Sequence, residues 1–160
     1  MINLVWLVPL LPLIGFLING LGRNTIPRAI VGWIGCLTVF ASFALSLGIF
    51  FELNSSVIKS FTVPIFDWIS AGSVKIPFSF LIDPLSVLML LIVTGIGFLI
   101  HVYSTGYMHH DAGYAKFFSY LNLFIFFMLL LVLGSNYVIM FIGWEGVGLC
   151  SYLLIGFWFN

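Results

Sequence analysis

The chain has 160 residues, of which 62% are hydrophobic and 6% charged, and five Lys or Arg balance five Asp or Glu. Its mean hydropathy is +1.25. A soluble domain carries about 25% charged residues, so this composition excludes a soluble globular protein and defines an integral membrane one. Zero net charge excludes the basic footprint of a nucleic-acid binder and points to no acidic partner.

The N-terminal run MINLVWLVPLLPLIGFLING lacks a basic leading region and a small-residue cleavage site, and its apolar stretch is longer than that of a signal peptide. It reads as a retained membrane helix over about 2–21, with Pro9 and Pro12 tolerated as they are in bilayer helices. Further apolar segments follow at about 29–51, 84–107, 117–133 and 137–159. Spans of roughly 17–25 residues suit single crossings. The fold class is therefore all-α integral membrane, a single membrane domain of five transmembrane helices.

Loops set the orientation. Arg23, Arg28 and Lys116 fall in the first and third loops, against Lys59 and Lys75 in the second. The positive-inside rule then places the N-terminus outside, the first and third loops in the cytoplasm and the C-terminus inside. The second loop, 52–83, is too long for a plain connector. Val74, Ile76, Phe78 and Phe80 alternate with Lys75, Pro77, Ser79 and Leu81, which is a strand period. A second extended run at 60–69 and a turn at Ser70–Ser73 complete a small extracytoplasmic β-hairpin over about 58–81. Pro64 and Pro77 each remove a ladder donor, so the strands are expected to be short or at an edge.

Chemistry concentrates in the last segment, YVIMFIGWEGVGLCSYLLIGFWF, whose one charged residue is Glu145. A carboxylate near a bilayer midplane costs roughly 2.5–3.5 kcal/mol on insertion scales, and such residues are functional by default. Burial raises the pKa of a carboxyl group and a nearby cation lowers it, so a group between those influences can load and release a proton. The bland alternative is a structural glutamate hydrogen-bonded to a neighbouring helix. Gly146 and Cys150 form a small-residue stripe, Gly143 and Gly148 thin the helix further, and Tyr152, seven positions on, is a candidate hydrogen-bond partner for Glu145.

The five Lys and Arg lie in loops or at helix ends, and His101 is the other titratable group within an apolar run. Counted from the outer ends of their helices, His101 is roughly 26 Å deep and Glu145 roughly 12 Å deep. They differ by about 14 Å, so the cation for Glu145 comes from outside these 160 residues. His101 is either a proton relay or a packed histidine at a helix end. Asp83-Pro84 has the form of an N-cap followed by a proline in the first helical turn. His109-His110-Asp111 is read as a solvated loop, since adjacent histidines converge poorly on one ion. Ser119 and Asn122 are expected to hydrogen-bond to neighbouring helices. Cys36 and Cys150, inside apolar runs, read as small buried side chains. No CxxC, HExxH, GxGxxG or P-loop occurs, so no metal or cofactor site is visible.

The stretch GWEGVGLCSYLLIGFW (Gly143–Trp158) resembles the fifth helix of the largest antiporter-like membrane subunit of respiratory complex I, subunit L in bacterial NADH–quinone oxidoreductase and chain 5 in mitochondria. LIDPLSVLMLLIVTGIGFLIHVYSTGYM, GYAKFFSYLNLFI and LVPLLPLIGFLI agree in order and spacing, so the resemblance covers essentially the whole chain. It implies a proton-translocating subunit with no redox centre of its own, NADH, FMN, Fe–S clusters and quinone belonging to other subunits. It also implies that the glutamate matching Glu145 pairs with a lysine on a later, broken helix, and that an outer hairpin separates helices two and three. The matching histidine, His101, carries its role over less securely. Family members run to over a dozen helices, so the remaining helices, and the lysine, are expected from a longer gene product or a second polypeptide. Other complex I membrane subunits and the lipid bilayer are the expected partners, and a bacterial inner membrane is the simpler setting. Two competing readings are a subunit of a multi-subunit Na⁺/H⁺ antiporter, against which GVGLCSY counts, and a purely structural helix pack.

Overall fold

The structure is a computed structural model and describes residues 1–72 and 74–158. A turn of 3₁₀ helix at Ile2–Leu4 leads into α1 (Leu7–Leu21), followed by α2 (Arg28–Ser55), β1 (Phe61–Ala71), β2 (Val74–Ile82), α3 (Pro84–Tyr107), α4 (Tyr114–Leu133) and α5 (Tyr137–Ile155). Five segments, at Ile2–Leu21 and at the four later helices, are long and apolar enough to cross a membrane. Four bounds differ from the sequence reading by three residues or more: the first helix proper begins at Leu7, after the 3₁₀ turn, and three others follow. The second helix runs on to Ser55, the fourth begins at Tyr114 rather than Phe117, and the fifth stops at Ile155 with Gly156 as its C-cap. Glycine is a poor helix former, and Gly156 follows the last turn with φ −81°, a stop that the apolar FWF tail concealed. Phe159, the expected end of the fifth segment, lies outside the described residues.

α4 is the hub, packed against α1, α2, α3 and α5, while α2 also packs against α1 and α3. Large apolar side chains such as Trp33, Leu85, Leu99, Phe141 and Trp144 face outward. Ser42, Ser46, Thr94, His101 and Asn122 are buried inside. Apolar outside and hydrogen-bonded polar groups within is the pattern of helices associating in lipid, where burial of apolar area gives little drive and small or polar residues supply the contacts. Two apolar cores close the bundle ends. Val5, Ile49, Phe80, Leu90 and Leu129 belong to the one beneath the hairpin, and Val31, Met108, Tyr114 and Phe118 to the other.

Pro12 shows how sequence and packing answer each other. Lacking an N–H, it leaves the carbonyl of Val8, one turn earlier, without its helical donor. The buried hydroxyl of Ser42 on α2 donates to that carbonyl at 2.8 Å. A helix defect thereby becomes an interhelical hydrogen bond.

β1 and β2 pair antiparallel, from Phe61 opposite Ile82 to Ala71 opposite Val74, with register shifts between Pro64 and Phe66 and between Asp67 and Ile69. The strands have 11 and 9 residues, longer than the two prolines suggest. The shifts, one of them next to Pro64, let the ladder resume, and in a two-stranded sheet each strand is an edge, where a missing donor is tolerated. Gly72 takes φ +58° in the turn, a left-handed conformation that favours glycine. Ser73 of that turn lies outside the described residues.

Asp83 caps α3 as its sequence suggests, and does more. Its Oδ1 accepts from the Ser86 N–H at 2.7 Å while the Ser86 hydroxyl accepts from the Asp83 N–H at 2.9 Å, with Pro84 in the first turn. Asp83→Ala is expected to cost about 1 kcal/mol. Faster amide hydrogen exchange at Ser86, with no change in the middle of α3, checks it.

Candidate functional site

α5 is placed by its two ends and one face. At its start, the Asn136 side chain accepts from the N–H groups of Val138 and Ile139, both at 3.1 Å, and caps the helix. The same side chain donates to the Pro77 carbonyl at 2.9 Å, Ser135 and Ser79 share a hydroxyl–hydroxyl bond at 2.6 Å, and the Ser135 N–H donates to the Ser79 carbonyl at 3.3 Å. The hairpin is therefore stitched to the α4–α5 junction. Just past the far end, the Trp158 indole N–H donates to Asp111 Oδ2 at 2.9 Å, and Asp111 Oδ1 accepts from the Gly113 N–H at 2.6 Å. The Trp158 bond first, and the Gly113 bond after it, hold the Asp111 carboxyl below the ordinary carboxylate range.

Along its length α5 buries Gly143, Gly146 and Cys150. A Cβ on Gly143 would stand 2.5 Å from the backbone nitrogen of Leu131 on α4, and Phe127 of α4 lies directly over Gly146. The small residues thus form a close seam with α4. Gly148 is not part of it, because among the described residues nothing lies within 4 Å of where its Cβ would be. The seam consists of Gly143, Gly146 and Cys150, rather than of all the glycines together.

Turning this face to α4 turns the opposite one outward. Glu145 is exposed there with Trp144, Leu149 and Tyr152. Among the described residues its carboxylate makes no ion pair, and no hydrogen bond joins it to the 75%-exposed Tyr152. The charged group of α5 therefore lies on a side of the helix free of the other four.

His101 lies elsewhere. It is 1% exposed on α3, donates through Nδ1 to the Gly97 carbonyl at 2.8 Å, and stands edge-on to Phe118 of α4 with ring centres 6.0 Å apart. Its Nε2 is buried without a partner among the described residues, as is Asn19 Oδ1 on α1. α3 and α5 both begin at the hairpin end, and the structure does not bring His101 and Glu145 together. In the loop after α3, the His109 and His110 rings stand 4.9 Å apart, and the His109 carbonyl accepts from Arg28 at 3.3 Å.

Ser119 and Asn122 bond across helices, Ser119 donating to the Phe16 carbonyl at 3.2 Å and Asn122 accepting from the Thr38 hydroxyl at 3.3 Å. The sequence reading missed the α2 contribution. Thr38, Ser42 and Ser46 repeat every four residues, a polar stripe visible in the sequence that supplies the bonds to α1 and α4. Asn19, donating to the Val31 carbonyl at 3.3 Å, was likewise unremarked.

Residues 68–118 match the family described as NADH-ubiquinone oxidoreductase (complex I), chain 5 N-terminus. The NADH-quinone oxidoreductase subunits L of Buchnera aphidicola and Escherichia coli are each 44% identical, over 99% of this chain and 26% of their own length. NADH-ubiquinone oxidoreductase chain 5 of Hypocrea jecorina is 42% identical over 94% of this chain and 22% of its own length. Among solved structures, a chain of the Mrp complex from Dietzia superposes with a TM-score of 0.73 at 28% identity, over 94% of this chain and 16% of that one. The fold and these relatives define a multi-pass membrane protein. The chain belongs to the subunit L/chain 5 family of NADH–quinone oxidoreductase, in the N-terminal part of that family's sequence. It spans about a quarter of the length of the curated relatives it matches.

Proposed function

We propose that this chain works as the N-terminal part of a proton-translocating membrane-arm subunit of an NADH:quinone oxidoreductase, with Glu145 as its proton carrier. The observation that supports this most is Glu145's position: the acid of α5 lies on the face that the packing of α1–α4 leaves free, opposite a glycine seam that fixes the helix. In that place a carboxyl group can meet a lysine from further helices of the same subunit or from another polypeptide, and lose or take up a proton as that cation approaches or withdraws. Tyr152 shares that face and is available to hydrogen-bond the carboxyl group. His101, with one unpaired ring nitrogen in the interior, is a second proton-handling candidate on a separate path.

In this reading the N-terminus and the hairpin are outside, and the first and third loops are inside. The membrane is a bacterial inner membrane, other complex I membrane subunits are the neighbours, and the redox groups belong to other subunits. A sodium–proton antiporter subunit is the alternative. The higher identity to subunit L chains than to the Mrp chain favours the oxidoreductase.

The test is Glu145→Gln in the assembled complex, reading NADH oxidation and proton translocation together. Glutamine keeps the shape and removes the titration. The expected result is a complex of normal subunit content with strongly reduced protons moved per NADH oxidised. Unchanged coupling would leave Glu145 a structural residue, and sodium-driven proton exchange without NADH would establish the antiporter.

A further inference from the structure

An open groove between α2 and α3 has a volume of about 690 Å³. Its walls are mostly apolar, Leu37, Phe40, Phe98 and Val102 among them, and Trp33 stands in it 67% exposed. At one end the lining turns polar, with Arg28 and His109. From Arg28 to Phe40 is 12 residues of α2, roughly 18 Å of helix. The hydrocarbon core of a bilayer is about 30 Å thick, so the groove spans about one leaflet, open to lipid along its length and headed by a cation near the interface. Trp33, Tyr103 and Tyr107 cluster toward that end, where amphipathic aromatics sit at the headgroup level.

A second groove repeats the arrangement. About 260 Å³ between α1 and α4 is lined by Phe16, Leu17 and Leu21 and headed by Arg23 and Lys116. Both grooves open at the bundle end that carries the first and third loops. All three cations of those loops therefore stand at the heads of apolar grooves between helices. The one carboxylate in those loops, Asp111, accepts from Trp158 and Gly113; it feels the charge of Arg28 but makes no ion pair with it among the described residues, and the Arg28 hydrogen bond goes to the carbonyl of His109.

From this we infer that the α2–α3 groove is a phospholipid site selective for an anionic headgroup: an acyl chain lies against Leu37, Phe40, Phe98 and Val102, and the lipid phosphate is bound by the Arg28 guanidinium, with the Tyr114 hydroxyl and His109 at its edge. Charge complementarity and length carry the assignment. A transmembrane helix of a neighbouring protein would span both leaflets, whereas the groove covers one and places its cation at that leaflet's surface. The site is independent of the role given to Glu145, which lies on another helix.

The test uses the assembled complex, purified with its full-length subunit and reconstituted into vesicles. The vesicles contain phosphatidylcholine doped with either phosphatidylglycerol or phosphatidylcholine bearing a photoreactive diazirine on one acyl chain. Cross-linked peptides are mapped by mass spectrometry. Labelling of residues 28–40 and 98–109 is expected to favour phosphatidylglycerol about five-fold, the order of one Lys or Arg acting at an anionic surface. Arg28→Gln should bring that ratio to about one and Arg28→Lys should keep most of it. Gly106 lines the groove, and among the described residues nothing lies within 4 Å of where its Cβ would be. Gly106→Leu should therefore fill the site and abolish groove labelling by both lipids, while labelling at Leu85 and Leu88 on the outer face of α3 persists. Equal labelling by the two lipids in the unmodified protein would mean ordinary annular lipid. Absence of groove labelling by either lipid would mean that a protein segment covers it. Either result overturns the proposal.

Discussion

Gly143→Ala is expected to destabilise the protein by about 1–3 kcal/mol, although alanine is the better helix former. The new methyl would meet the Leu131 nitrogen at 2.5 Å and its Cα at 2.6 Å. These are backbone atoms of α4 and cannot rotate aside, so the two helices must separate. Gly146→Ala meets the Phe127 ring instead, which a rotamer change can partly relieve, and should cost less. Gly148→Ala is the control for the α4 seam: no atom of the described residues lies within 4 Å of its Cβ, so with respect to α4 the effect should range from zero to about 1 kcal/mol of stabilisation. The measurement is the melting temperature of the purified full-length protein in detergent for the three variants. The order of loss should be Gly143, then Gly146, with Gly148 unchanged or raised. If Gly143 and Gly148 behaved alike, the face of α5 assigned to α4 would be wrong, and with it the free face assigned to Glu145.

Asn136→Ala should remove two functions at once, for a combined loss of about 2 kcal/mol. The helix cap contributes about 1 kcal/mol, and the bond to the Pro77 carbonyl contributes about 0.5–1.5 kcal/mol. Asn136→Asp separates them. Aspartate keeps an oxygen for the Val138 and Ile139 N–H groups and suits a helix N-terminus, but it has no donor for Pro77. Hydrogen exchange on the full-length protein reads both parts. With alanine, exchange should accelerate at Val138 and Ile139 and in the hairpin around Ile76–Ser79. With aspartate it should accelerate in the hairpin and stay slow at the helix start. Loss of protection at both places with aspartate would show that the hairpin, not the cap, holds the start of α5.

How far the sequence carries depends on whether the signal is local. Helices α1–α5 are legible because a bilayer crossing needs a long apolar run, and the hairpin because alternation in Val74–Phe80 has a period no helix shares. The Asp83 cap is legible because an N-cap and its partner lie three residues apart. The faces of α5 are not. Gly143 and Gly148 look equivalent as letters, and only the position of α4 makes one a contact and the other open space. The polar lattice is half legible: Ser119 and Asn122 stand out in a phenylalanine-rich helix, whereas the four-residue spacing of Thr38, Ser42 and Ser46 does not say which neighbouring helices they bond, and Asn19 is a lone polar letter in α1. No sequence rule links Pro12 to Ser42, 30 positions on, since their relation exists only once α1 lies against α2. The grooves headed by Arg28 and by Arg23 with Lys116 were seen in sequence merely as loop charges, because a groove is a property of two helices.

α5 is anchored at its start by Asn136, along its side by the glycine seam and just past its end by Trp158 on Asp111. A side chain carried on such a rail has little backbone freedom with which to follow a moving charge. In the role proposed for Glu145, the reorganisation on this side of a charge pair is small, so most of the motion of a charge-separation cycle falls to whatever cation the rest of the assembly brings to it.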